Sequence, residues 1–282
     1  MIQAMVAHPT AWAVQANACA ALRNLCIKPE HKLKVAALGG CVAVFHALRR
    51  CVSVTAPVED GGGDVRGVGV VQAACGALWN LASLEGIREG LLEIGVVDEI
   101  LRAMASHPSQ CGVQENGLGL LRILAQHPAH KVRIAEPGGV ALVLRALASP
   151  AGRTQALAEN CCRLVAQLSW GSATVQLRVA AMEGCMALVS TMGAHGSSAA
   201  VQEYGCAALR NLASDLDWVR TKAVDTGACG VVLAALNRHH AHVAVLLAAC
   251  AAVRALAISP AARSNMVQAE AIDVVVRAMG AH

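Results

Sequence analysis

A segment of twelve residues recurs six times without internal gaps: VQANACAALRNL (14–25), VVQAACGALWNL (70–81), VQENGLGLLRIL (113–124), LAENCCRLVAQL (157–168), VQEYGCAALRNL (201–212) and VLLAACAAVRAL (245–256). The residue before each final Leu marks a common reference position, held by Asn24, Asn80, Ile123, Gln167, Asn211 and Ala255 at spacings of 56, 43, 44, 44 and 44. A fixed period of this size commits the chain to a repeat architecture. One unit cannot bury its apolar faces alone, and stacking several units supplies a continuous core. The irregular interval holds APVEDGGGDVRGVG (56–69), whose Gly, Pro and Asp content predicts a flexible surface loop inserted into one repeat.

Between these segments lies a second family: GGCVAVFHALRR (39–50), GVVDEILRAMASH (95–107), GGVALVLRALAS (138–149), GCMALVSTMGAH (184–195), GACGVVLAALNRH (227–239) and EAIDVVVRAMGAH (270–282). Each reads as a helix opened by a glycine turn, with Glu270 in the glycine's place in the last. Just upstream runs a short helical stretch with a basic residue at one place: Lys34, Arg88, Arg133, Arg178, Arg220 and Arg263. The unit is a short helix followed by two longer ones. Composition agrees, because the chain is 56% apolar with one Phe, one Tyr and four Trp. That bulk is mostly Ala, Val and Leu; Ala and Leu favour helix, whereas a sandwich or barrel core draws on aromatic and branched residues.

The basic residue with its following turn, the GGVALVLRAL second helix and the VQ-x4-AL-x-NL third helix together resemble the armadillo repeat. The resemblance covers the whole chain, and the related HEAT repeat is the competing assignment. It implies an all-α fold, a right-handed α-solenoid of stacked three-helix armadillo-type repeats. The expected divisions are a partial repeat 1–28, full repeats 29–84, 85–127, 128–170, 171–214 and 215–258, and a partial repeat 259–282. Residues 1–8 match 275–282 as the tail of a second-family helix. The array is therefore expected to continue as part of a longer one, or to expose apolar surface at both edges.

A net charge of +4 with 15% charged residues is too mild for a nucleic-acid-binding face. The twelve Cys form no CxxC pair, the opening MIQAMVAHPT shows no signal peptide, and no Asn-x-Ser/Thr sequon occurs. A reduced, cytoplasmic protein is expected, with the nucleus or cilium as alternative settings. The best candidate for a membrane span, Val243 to Val253, ends at Arg254 and is shorter than the ~20 residues a bilayer core requires.

No nucleophile elbow, Walker loop, HExxH or pair of pocketed acids is present, so the sequence assigns no catalytic residue, cofactor or metal. Cys19, Cys75, Cys162, Cys206 and Cys250 share one column on the core side, where Cys acts as a small hydrophobe. Equivalent positions in adjacent repeats lie about 8–10 Å apart, too far for a disulfide or a shared metal. His8, His107, His195, His239 and His282 end the second helices, where imidazole complements the negative helix terminus.

On a helical wheel the third helices bury two columns, Val14, Val70, Val113, Leu157, Val201, Val245 and Leu22, Leu78, Leu121, Val165, Leu209, Val253. In armadillo proteins the opposite side lines a concave groove that grips partners. The resemblance therefore places there the amides Asn17, Asn24, Asn80, Asn116, Asn160 and Asn211, the acids Glu115, Glu159 and Glu203, and Arg122, Arg163 and Arg210. An amide can donate to and accept from an extended backbone at once. Trp79 and Tyr204 are the expected anchors, since interface energy concentrates in Trp, Tyr and Arg. The groove floor, Ala20, Gly76, Gly119, Arg163, Ala207 and Ala251, lacks the tryptophans of nuclear import adaptors. The expected function is a non-catalytic scaffold that binds an extended peptide or helix of another protein. An import-adaptor-like cargo receptor and a spacer in a cytoskeletal or ciliary assembly are the alternatives.

Overall fold

The computed structural model describes residues 1–54, 65–148, 154–268 and 271–280, and every regular element among them is helical. In chain order these are α1 (Ile2–Ala7), α2 (Trp12–Leu25), α3 (Pro29–Ala37), α4 (Gly40–Val54), α5 (Val65–Ala82), α6 (Glu85–Glu93), α7 (Val96–Ser106), α8 (Cys111–Leu124), α9 (Pro128–Ile134) and α10 (Pro137–Ala148). They continue with α11 (Gln155–Ser169), α12 (Ala173–Ala181), α13 (Gly184–Ala194), α14 (Ala199–Ser214), α15 (Asp217–Asp225), α16 (Ala228–Arg238), α17 (Val243–Leu256), α18 (Pro260–Gln268) and α19 (Ala271–Gly280). The chain forms two compact units, Met1–Leu142 and Val143–His282, and the division falls within α10.

Within each unit like packs on like. In the first, the third helices stack in the order α2, α5, α8, and the second helices in the order α1, α4, α7. In the second, α11, α14 and α17 stack, as do α13, α16 and α19, while the short helices α12 and α15 pair. This is the nearest-neighbour packing of an all-α solenoid. The columns assigned to the core are buried, from Val70, Val113, Leu157, Val201 and Val245 to Leu22, Leu78, Leu121, Val165 and Leu209. Val14 and Val253 are the exceptions and stay half-exposed; they lie on α2 and α17, the first and last third helices in chain order.

Local chemistry sets the boundaries. Short first helices open on Pro29, Pro128 and Pro260, where a missing N–H costs nothing. Thr154, Ser172 and Ser198 cap α11, α12 and α14 by accepting from the backbone N–H three residues on. The turn into the second helix uses a left-handed residue at Gly39, Gly95 and Gly227, with φ of 77°, 72° and 92°. Sequence reading places a glycine at this turn in every second-family segment but the last, and the structure corrects it twice. Before α13 the left-handed residue is Glu183, at φ 57°, a conformation that costs an L side chain roughly 1–2 kcal/mol. Its carboxylate accepts from Lys222 at 2.9 Å. Gly138 has no left-handed φ, since α10 opens directly on Pro137. A third correction concerns the inserted loop assigned to 56–69: α5 begins at Val65, and 56–64 lie outside the described residues.

Candidate partner-binding face

The third helices show one narrow stripe outward. On α14, Glu203, Tyr204, Ala207 and Arg210 are half-exposed, while Val201, Cys206, Leu209 and Leu212 are sealed. On α11 the same register shows Glu159, Asn160 and Arg163, with Gln167 one place beyond the register of Arg210; on α8 it shows Glu115, Asn116 and Arg122. The spacing of three and four residues keeps the stripe on one side of each helix.

Sequence reasoning aims the amides at a partner's backbone. The structure places three of the donors on the protein's own. Asn80 Nδ2 donates to the Arg23 carbonyl at 2.7 Å, Asn116 Nδ2 to the Gln72 carbonyl at 2.9 Å, and Asn211 Nδ2 to the Ala166 carbonyl at 2.8 Å. Each bond ties a third helix to the one before it in its unit. Asn211 is buried, and its Oδ1 accepts from Arg210 Nε and Nη2 at 3.0 and 2.8 Å. Asn17 and Asn24 lie on α2, Asn24 exposed, and Asn160 is half-buried on α11.

The small residues of the floor answer to the preceding helix as well. A side chain at Gly76 would meet Arg23 Cδ at 2.6 Å, and one at Gly119 would meet the Trp79 ring at 2.8 Å. Trp79 therefore lies across α8 instead of standing free, and only part of it reaches solvent. In the second unit the stripe keeps its chemistry open. The Arg163 guanidinium lies over the Tyr204 ring at 4.7 Å, and that of Arg210 over the Trp170 ring at 5.0 Å. Stacking of this kind holds a flexible side chain in place and leaves the edge of its donor fork accessible. Trp170, which sequence reading did not single out, ends α11 and is 61% exposed.

A second device escaped the sequence reading altogether. Gln15, Gln114 and Gln202 are buried, and each Nε2 donates to two carbonyls at the end of the preceding second helix. The acceptors are Met5 and His8, Met104 and His107, and Met192 and His195, at 2.8 to 3.1 Å. Each of these His residues is the C-cap of its helix. The methionines press on the next turn of the third helix, so that a side chain at Gly117 or Gly205 would strike Met104 or Met192 within 3.0 Å. The signal was present as Met-x2-His-x6-Gln, repeated three times. Each lock ties the end of a second helix to the third helix that follows it.

The core thiols are poor nucleophiles. Burial pushes Cys19, Cys75 and Cys162 up to about 12, so almost no thiolate exists near neutral pH. Among the described residues no three metal-ligating side chains gather, and no single helix is long and apolar enough to cross a membrane.

Comparison with solved structures decides the fold. A designed armadillo repeat protein in complex with the peptide (KR)4 superposes with a TM-score of 0.66 at 16% identity, covering 90% of this chain and 97% of its own. The chain has an armadillo-like repeat fold. Computationally designed armadillo repeat proteins for modular peptide recognition match with a TM-score of 0.70 at 18% identity, over 90% of this chain and 97% of theirs. A structure concerned with a phosphorylation switch in the interaction between cadherin and beta-catenin matches at 0.73 and 14% identity, covering 95% of this chain and 49% of its own. No protein-family model matches the sequence, and neither does any curated protein. At these identities the armadillo-like assignment rests on backbone geometry.

Proposed function

We propose that this protein is a non-catalytic scaffold whose third-helix faces hold an extended segment of another protein. The observation that carries this reading is the stripe on α11 and α14. It sets charged and aromatic side chains over a sealed stack, with two guanidinium groups held against rings at 4.7 and 5.0 Å. Such a surface costs little side-chain entropy on binding, which is what a recognition face requires. The solved armadillo repeat protein bound to (KR)4 supports the use of this fold for extended peptides. Thiols held neutral by burial are poor nucleophiles, which favours binding over catalysis.

Filling the floor tests the proposal. Ala207 sits at the middle of the α14 stripe and is half-exposed, so Ala207→Trp adds bulk there without entering the core. Segments selected from a peptide library against the wild-type protein are expected to bind the variant at least about tenfold more weakly, a loss of roughly 1.4 kcal/mol. The control, Met186→Trp on the exposed side of α13, should leave binding unchanged. Equal affinity of a folded Ala207→Trp protein would overturn the reading.

A further inference from the structure

The charges on the stripe of the second unit are sorted into two rows. Glu159 on α11 and Glu203 on α14 stand eight residues before the reference positions Gln167 and Asn211. Arg210 on α14 and Arg254 on α17 stand one before Asn211 and Ala255. Seven residues separate the two registers. They therefore share one side of the helix and lie two turns, about 10.5 Å, apart along its axis. Stacked helices repeat this pattern every 8–10 Å or so, which makes an acidic row and a basic row running across α11, α14 and α17.

Between the rows lie Arg163 on α11, held over the Tyr204 ring, and the small residues Ala207 and Ala251, all three half-exposed. Among the described residues, no ion pair joins Glu159 or Glu203 to Arg163, Arg210 or Arg254. Arg210 is already oriented by Trp170 and by Asn211 Oδ1, while Arg254 is exposed. The rows are offset by one helix. On α11 the place of the arginine is taken by buried Ala166, and on α17 the place of the glutamate is taken by Leu247, 69% exposed.

An extended segment laid between the rows sends alternate side chains to opposite sides and advances about 6.6–6.8 Å per pair of residues. That step is close enough to the helix spacing for long side chains to meet successive helices. We propose that the α11–α14–α17 face selects an extended segment whose charges are grouped by sign, with cations facing Glu159 and Glu203 and carboxylates facing Arg210 and Arg254. Read from α11 to α17, the complementary order is basic, small, basic, acidic, apolar, acidic. Leu247 receives the apolar residue, and Ala166 faces the small one. This rests on the scaffold reading above and assigns the partner's chemistry to it.

The test uses two fluorescein-labelled, end-blocked peptides, Lys-Ala-Lys-Glu-Leu-Glu and the charge-scrambled Lys-Ala-Glu-Lys-Leu-Glu, each also made in reversed order to cover both chain directions. Fluorescence polarisation on the full chain at low salt should show the first pattern bound at least tenfold more tightly than the scrambled one, in one direction or both. Arg210→Glu with Arg254→Glu should remove that preference. Glu203→Lys with Arg210→Glu, which exchanges the two charges on α14 alone, should hand it to the scrambled peptide, a switch that misfolding cannot produce. Failure of the wild-type protein to bind either pattern, equal binding of both, or a Glu203→Lys, Arg210→Glu variant that keeps the wild-type preference would each overturn the inference. Should Ala207→Trp weaken selected binders while the charge variants change nothing, the scaffold reading stands and the charge-ordered partner is rejected.

Discussion

Arg220→Met is expected to lower the stability of the second unit by about 3 kcal/mol, read as a fall in denaturation midpoint. Arg220 is only 5% exposed and begins its work at the end of the third helix. Its Nε donates to the Ala213 carbonyl at 2.8 Å, its Nη2 to the Ser214 carbonyl at 3.1 Å, and its Nη1 pairs with Asp217. The last carbonyls of a helix have no partner within the helix, and leaving two of them dry costs roughly 1–3 kcal/mol each. Methionine keeps the stem and removes only the donors. Arg263 does the same for the end of α17, donating to the Ala257 and Ile258 carbonyls at 2.9 and 3.0 Å, but it is exposed. Water can replace it there, so Arg263→Met should cost less than about 1 kcal/mol. Equal losses at the two sites would show that burial is not what makes Arg220 matter.

Two adjacent glycines should respond with opposite signs. A Cβ at Gly139 would sit 2.1 Å from the Ile134 carbonyl oxygen, which is backbone and cannot swing aside. Gly139→Ala therefore has to push α10 away from α9, and overpacking of this kind costs about 3 kcal/mol. Gly138 is exposed and helical, and a Cβ added there would meet nothing within 4 Å, so Gly138→Ala should stabilise by up to about 1 kcal/mol through helix propensity alone. Thermal melts of the two variants check the pair. The equivalent place in two other repeats is occupied by Val96 and Ala228, where the second helix starts from a left-handed glycine. Gly40 and Gly184, at the same place behind left-handed turns, would meet the Val35 and Val179 carbonyl oxygens at 2.8 and 2.7 Å, so the approach recurs in the repeats and is tightest at Gly139.

Repeat identity and core columns were legible because both depend on spacing within one helix. Cys19, Cys75, Cys162 and Cys206 are buried where the wheel put them. Partners across helices were less legible, since they depend on which atom of a neighbour arrives at bonding distance. Asn80, Asn116 and Asn211 carry the right chemistry to hold an extended backbone, and the backbone they meet is that of the preceding helix. The basic column shows the same limit. Arg220 caps a helix end, whereas Arg133, in the same column, pairs with Asp98 and Glu136 on the surface. Glu183 in a left-handed turn was hidden because the glycine beside it offered an easier assignment. The glutamine lock needed the second and third helices to be read as one pattern, although its residues recur at fixed spacing.

The face proposed to hold a partner is open to one direct measurement, backbone amide exchange of the second unit with and without a selected peptide at saturation. Slowed exchange confined to α11, α14 and α17 is the expected result, with α12, α13, α15 and α16 unchanged. Slowing on α13 and α16, and none on α14, would contradict the account at its centre.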